Sequence, residues 1–118
     1  DAMMPLLITL PWPPSVNVYW RTFQGRMIIS EAGRNYRKAV VDQMLLQRTQ
    51  KHFDGALKLT VEAYRPDKRR RDLDNLLKAA LDSLAHAGVY EDDSQIEDLR
   101  IYWAPTLGGM LKITIEDA

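Results

Sequence analysis

The sequence predicts an α+β fold: a small mixed, mostly antiparallel sheet with two main helices, in the order β(β)αβαββ. Three observations predict it. Apolar residues recur at helical spacing over 30–50 and again over 72–87. Several shorter stretches are apolar runs or alternate at the two-residue period of a half-buried strand. The chain has 118 residues, the length of one domain with helices on one face of a small sheet. Asp1-Ala2 ahead of Met3 reads as a cloning remnant, so the single domain is expected over 3–118.

Leu6 to Leu10 is a short apolar run bounded by proline and reads as a strand. Pro11-Trp12-Pro13-Pro14-Ser15 cannot be helix interior, because proline fixes φ and lacks a donor, so this is an ordered loop or extended segment. Gly25 with Arg26 to Ser30 suggests a turn and a short strand. Ser30 caps a helix running to about Gln50, its apolar side formed by Ala32, Tyr36, Ala39, Val40, Met44 and Leu45. Asp54-Gly55 breaks the chain. Leu57, Leu59, Val61 and Ala63 then alternate with Lys58, Thr60 and Glu62 as a strand that Pro66 ends.

A second helix begins at Asp72. Leu73, Leu76, Leu77, Ala80, Leu81, Leu84 and Ala87 form its apolar side, and Gly88 follows as the residue that closes it. Beyond an acidic loop, Ile96 to Trp103 reads as a strand, Gly108-Gly109 as a hairpin-like turn and Met110 to Ile115 as the last strand.

Several function classes fall away. There is no cysteine, which excludes thiolate chemistry and disulfide scaffolds. The longest apolar runs are about five residues, against roughly 18–20 for a membrane helix. Pro11 to Pro14 cuts the N-terminal apolar run too short for a signal peptide, so a cytoplasmic location without membrane contact is expected. Neither a phosphate-binding nor a dinucleotide glycine motif is present, so no nucleotide cofactor is expected. No serine lies in a nucleophile elbow, and His52 and His86 have no partner at metal spacing. Trp12, Trp103 and the tyrosines read as core or loop packing.

Sixteen basic residues balance sixteen acidic ones, yet the charges are blocked. Residues 65–71 hold five basic residues and one acidic; residues 91–98 hold five acidic and none basic. The first block suits phosphate, the second a cation. Asp72-Leu73-Asp74-Asn75 opens the second helix directly after the arginines, with Lys78 four residues beyond Asp74. Asp92-Asp93 sits in the loop before the next strand, which can return to the helix start. Each residue has an ordinary role available: Asp72 as N-cap, Asp74 as first-turn dipole compensation, Lys78 as an i,i+4 partner, Asp92 and Asp93 as a solvated turn. The basic run could equally be a solvated face.

Taken together they suggest something else. Two carboxylates about 4 Å apart repel by about 4 kcal/mol at an effective dielectric of about 20. A hard divalent ion would remove that cost, and magnesium prefers a few carboxylates with water and phosphate oxygens. Asp72, Asp74 and Asp93 beside the basic run therefore suggest a metal-dependent phosphodiester site, with Lys78 neutralising charge on the phosphorane oxygens.

The motif Arg69-Arg70-Arg71-Asp72-Leu73-Asp74-Asn75-Leu76, continuing through Lys78-Ala79-Ala80 to Asp82, resembles the central motif of the RusA family of Holliday junction resolvases. Leu10-Pro11-Trp12-Pro13-Pro14-Ser15 with Asn17 is similar to the family's N-terminal signature. Ser30-Glu31-Ala32-Gly33 with Tyr36-Arg37, and Ala87-Gly88 with Asp92-Asp93-Ser94-Gln95, resemble further family segments, as do Gly108-Gly109 and the last strand. The resemblance spans roughly residues 5–116.

It implies a homodimeric, magnesium-dependent endodeoxyribonuclease (manganese being the alternative ion) that cuts four-way DNA junctions with paired symmetric nicks in recombination and repair. It carries metal-ligand and catalytic roles onto Asp72, Asp74 and Asp93, a catalytic role onto Lys78, and DNA contact onto Lys68, Arg69, Arg70 and Arg71. Leu81 stands where some relatives carry an aromatic residue. Two alternatives remain beside this reading: a non-catalytic DNA-binding module, and a magnesium nuclease without junction preference.

Overall fold

The computed structural model describes residues 5–118. The residues read as a cloning remnant, Asp1-Ala2, lie outside them. Six strands and three α-helices follow one another as β1 (Leu6–Pro11), α1 (Val16–Tyr19), β2 (Trp20–Phe23), β3 (Arg26–Ile29), α2 (Glu31–Gln47), β4 (Leu57–Tyr64), α3 (Leu77–His86), β5 (Ile96–Trp103) and β6 (Met110–Asp117). Short 3-10 turns at Leu73–Leu76 and Asp93–Gln95 precede α3 and β5. The α+β class is as expected.

The main sheet has the order β1-β6-β4-β5. β6 runs antiparallel to both β1 and β4, whereas β4 and β5 are parallel. The last two strands are therefore not a hairpin. Gly108-Gly109 instead starts a crossing over the end of β4, and β6 enters the sheet on its far side. The Gly108 N–H donates to the Arg65 carbonyl at 2.8 Å and the Gly109 N–H to the Tyr64 carbonyl at 2.9 Å. Parallel neighbours need a crossover, and α3 provides it.

β4 shows why the alternation was readable. Leu57, Leu59, Val61 and Ala63 are fully buried, and the residues between them face the other side. They pack with Leu10, Leu111, Ile113 and Ile115 of the sheet and with Val40 of α2 and Leu84 of α3 in one core. The opposite face carries Thr60, Glu62, Lys112 and Thr114.

Ser30 caps α2 as expected. Its Oγ accepts the Gly33 N–H at 3.0 Å and donates to the Tyr19 carbonyl. The helix ends at Gln47 rather than Gln50, with Arg48 in the left-handed region at φ 55°. Gly33, Tyr36, Val40 and Met44 form its buried stripe. Leu45, expected on that side, is exposed because it falls just outside the i, i+3, i+4 rows, and Ala32, although four residues before Tyr36, is exposed in the first turn. The Tyr36 hydroxyl donates to the Pro11 carbonyl at 2.7 Å, tying α2 to the end of β1.

Two elements were not legible: α1, and β2, which pairs with β3 in a separate hairpin. Its turn residues Gln24 and Gly25 both have positive φ, 50° and 74°, as a tight two-residue hairpin turn requires. The second helix departs from expectation at its start. Leu73–Leu76 is 3-10, and α-helical geometry begins only at Leu77. Gly88, at φ 86°, closes it.

Candidate functional site

Asp72 and Asp74 flank the first step of the 3-10 turn that leads into α3. Asp72 holds the N-cap position in extended conformation, yet its side chain makes no capping hydrogen bond. The ordinary role available to this residue is thus not taken up. Both carboxylates are exposed, and neither has a hydrogen bond or ion pair among the described residues. The i,i+4 pair between Asp74 and Lys78 is not formed either. Lys78 is exposed and borders an apolar patch made by Val16, Trp20 and Met27.

Asp72 opens onto a groove of about 320 Å³ whose walls include Trp12, Ser15, Arg70, Arg71 and Asn75. Asn75 closes one wall by accepting the Val16 N–H on Oδ1 at 3.2 Å. A backbone N–H can only donate, so the side-chain amide is left to the groove. The N-terminal proline-rich segment and the acidic motif are thereby one structural unit.

The basic run does two different jobs. Arg71 is drawn inward: its Nη1 donates to Asp67 Oδ1 at 2.7 Å, and its guanidinium lies 5.7 Å from the Trp12 ring centre. That contact, with a further hydrogen bond from the Arg69 N–H, pulls the Asp67 carboxyl down to a pKa of about 2. Lys68, Arg69 and Arg70 stay exposed. They line a second groove of about 400 Å³, whose opposite wall is the loop Ala104–Leu107. Arg70 and Arg71 border both grooves, so the basic surface runs directly up to Asp72.

Asp92 and Asp93 have different fates although adjacent. Asp92 caps the 3-10 turn at Asp93–Gln95 in a reciprocal capping box with Gln95. Gln95 Oε1 accepts the N–H groups of Glu91 and Asp92, and the Ser94 hydroxyl donates to Asp92 Oδ2 at 2.7 Å. This lowers the Asp92 pKa, Ser94 being the main cause. Asp92 is a structural carboxylate. Asp93, exposed in the first turn, is the one on offer.

The crossover separates Asp93 from the other two. Asp72 and Asp74 stand before the N-terminus of α3, and Asp93 follows its C-terminus, next to the start of β5. The ten residues of α3 alone span about 15 Å. Accordingly, no group of three or more His, Cys, Asp or Glu among the described residues is placed to hold a metal ion. One chain thus presents two carboxylates at one end of the crossover and one at the other. In kind, these exposed oxygen donors suit a hard divalent cation.

Arg37, a further basic residue, is engaged within the fold. Arg37 Nη2 meets Asp82 Oδ2 at 2.7 Å, and its Nε donates to the Tyr19 hydroxyl at 2.9 Å, while that hydroxyl donates to the same Asp82 oxygen. This network ties α1, α2 and α3 together. Its members are 18 to 63 positions apart, so no local pattern announces it. His52 is likewise engaged, with its Nδ1 2.6 Å from the Gly88 carbonyl and its Nε2 3.3 Å from Asp54.

Residues 11–116 match a family model described as endodeoxyribonuclease RusA. The chain is 45% identical over 111 residues to crossover junction endodeoxyribonuclease RusA of Shigella sonnei (strain Ss046), covering 93% of this chain and 92% of that protein. It is 44% identical over 111 residues to the protein of that name in Escherichia coli (strain K12), with the same coverage. The corresponding protein of Enterobacteria phage HK97 is 44% identical over 109 residues, 92% of this chain and 91% of its own length.

Proposed function

The chain belongs to the RusA family of endodeoxyribonucleases, and from that premise we propose that it resolves four-way DNA junctions by metal-dependent phosphodiester hydrolysis. The observation that carries this reading is the placement of Asp72. Its carboxylate caps nothing and pairs with nothing among the described residues, at the mouth of an arginine-walled groove. An exposed N-terminal aspartate that forgoes its cap is poorly explained by stability alone.

In this reading Lys68, Arg69, Arg70 and Arg71 receive the DNA backbone, since guanidinium groups bind phosphate in a planar, bidentate fashion. Asp72, Asp74 and Asp93 would hold magnesium, with manganese as the alternative. Such an ion, when bound, supplies charge neutralisation at the phosphoryl group and a more acidic water. Lys78, at the first turn of α3, offers a further positive charge for the phosphorane oxygens as the water oxygen–phosphorus bond forms and the bond to one sugar oxygen breaks.

Because one chain holds Asp93 at the far end of α3, the expected homodimer has a second task besides supplying two nicks. Across a two-fold axis the same surface meets itself, so Asp93 of one copy can approach Asp72 and Asp74 of the other. The separation of Asp93 also favours a second reading, in which the domain binds junctions without cutting them.

A labelled synthetic four-way junction and a matched linear duplex, each with and without magnesium, distinguish these. Paired symmetric nicks on the junction only, and only with magnesium, are expected. A shifted but uncut junction with every metal tried would establish the binding module, and equal cutting of the duplex a nuclease without junction preference.

A further inference from the structure

Arg65 lies at the end of β4, where the chain turns away from the sheet. Its main chain is clamped: the carbonyl accepts N–H groups from both Gly108, at 2.8 Å, and Gly109, at 3.2 Å. That turn sits close, and a Cβ on Gly108 would come within 3.0 Å of Tyr64 Cβ. The half-buried side chain lies over Trp103, with the guanidinium 4.0 Å from the ring centre. Trp103 in turn stacks on Trp12, with centroids 6.4 Å apart and planes 17° apart, and Arg71 covers Trp12. The four side chains form a continuous chain of contacts, Arg65–Trp103–Trp12–Arg71, in which Arg65 borders the second groove, Trp12 the first and Arg71 both.

The two arginines at its ends are not equivalent. Arg71 is engaged by Asp67, the sole carboxylate in residues 65–71. Arg65 has no hydrogen bond or ion pair from its guanidinium among the described residues, so all five N–H donors stay available along the plane's edge. Yet it borders the groove walled by Lys68, Arg69 and Arg70 and by the loop Ala104–Leu107. A fixed, planar, weakly hydrated fork with one face covered by an indole is well prepared for a phosphate.

We propose that Arg65 grips a backbone phosphate of the nucleic-acid strand in this groove, and that Trp103, supported by Trp12, is the positioning residue that holds it there. The proposal rests on the nuclease reading and adds to it a contact outside the 68–71 run. Its ligand is a phosphodiester, not a base, so the contact is indifferent to sequence.

The test is equilibrium binding of a labelled four-way junction in EDTA, from about 50 to 200 mM potassium chloride. It uses the unaltered protein, Arg65→Gln, Trp103→Leu and Trp103→Phe, each with its melting temperature. Arg65→Gln should raise Kd about tenfold or more, the loss of a charge-assisted hydrogen bond. It should also flatten the slope of log K against log salt by about 0.9. Trp103→Leu should reproduce both effects and Trp103→Phe should restore them, which a loss of stability alone would not. A folded Arg65→Gln protein with unchanged Kd and slope, while the parent binds steeply, would overturn this proposal and leave the nuclease reading standing. Failure of the parent protein to bind the junction would overturn both.

Discussion

Asn75 Oδ1 accepts the main-chain N–H of Val16 at 3.2 Å, joining two segments 59 positions apart. The acidic motif is therefore held against the proline-rich segment by a residue inside the motif itself. Asn75→Ala should strand the Val16 donor and lower stability by about 1 kcal/mol. Asn75→Asp keeps an acceptor and should melt close to the parent. Thermal unfolding followed by circular dichroism checks both.

Asp92 and Asp93 should separate cleanly by mutation. Asp92→Ala removes the capping box and should lower the melting temperature by a few degrees, while leaving junction cleavage measurable at low temperature. Asp93→Asn and Asp74→Asn should melt normally, bind junctions and lose cleavage. Full activity in Asp74→Asn would remove the catalytic assignment.

If Asp93 acts across the dimer, two dead proteins should rescue one another. A heterodimer of Asp74→Asn with Asp93→Asn contains one intact set of Asp72, Asp74 and Asp93 and one doubly damaged set. Mixing them should restore single nicks on a junction but not paired ones. With all three ligands drawn from one chain, the mixture would stay inactive.

Asp67 makes a specific acid-stability prediction. Its pKa, depressed from the ordinary 3.8 to about 2 chiefly by Arg71, means that the folded state favours the carboxylate. The contribution is complete above pH 4 and is lost as pH falls towards 2. Melting temperature against pH should therefore drop less steeply over that window in Asp67→Asn than in the parent, and parallel curves would refute the assignment.

Gly33 is a packing constraint in the same region. A Cβ there would lie 2.5 Å from the Tyr19 carbonyl oxygen and 2.6 Å from Ile29 Cγ1. The oxygen belongs to the backbone and cannot simply rotate away. Gly33→Ala should cost about 1–3 kcal/mol, read as a lower melting temperature, because α2 must move off the β2–β3 hairpin.

What could be read in advance was whatever lies within one turn or one strand. Ser30, Gly88 and the alternation from Leu57 to Ala63 act on neighbours, and each does what its local pattern implies. Partner choice was not legible. Nothing local tells β6 to pass between β1 and β4, or β5 to run parallel to β4, since those pairings are decided by the whole core. For the same reason the basic run and Asp72-Leu73-Asp74-Asn75 could be recognised as a pair of chemistries, but not the distance from there to Asp93. That distance follows from α3 being a crossover between parallel strands. Arg65 belongs to the basic block read as suited to phosphate, but its stacking on Trp103 was not legible, because Trp103 and Trp12 lie far away in the chain.

The strand order also sets a clock on synthesis. β6 fills the place between β1 and β4, pairing Leu6 with Ile115, so the sheet stays incomplete until the last strand has emerged. Asp72 and Asp74 are translated roughly forty residues before Ile115, which at about 5–20 residues per second is about 2–8 s. The loop Ala104–Leu107, one wall of the basic groove, arrives late in that interval. A nascent chain thus carries its acidic motif well before it owns both walls of a surface that could clasp nucleic acid.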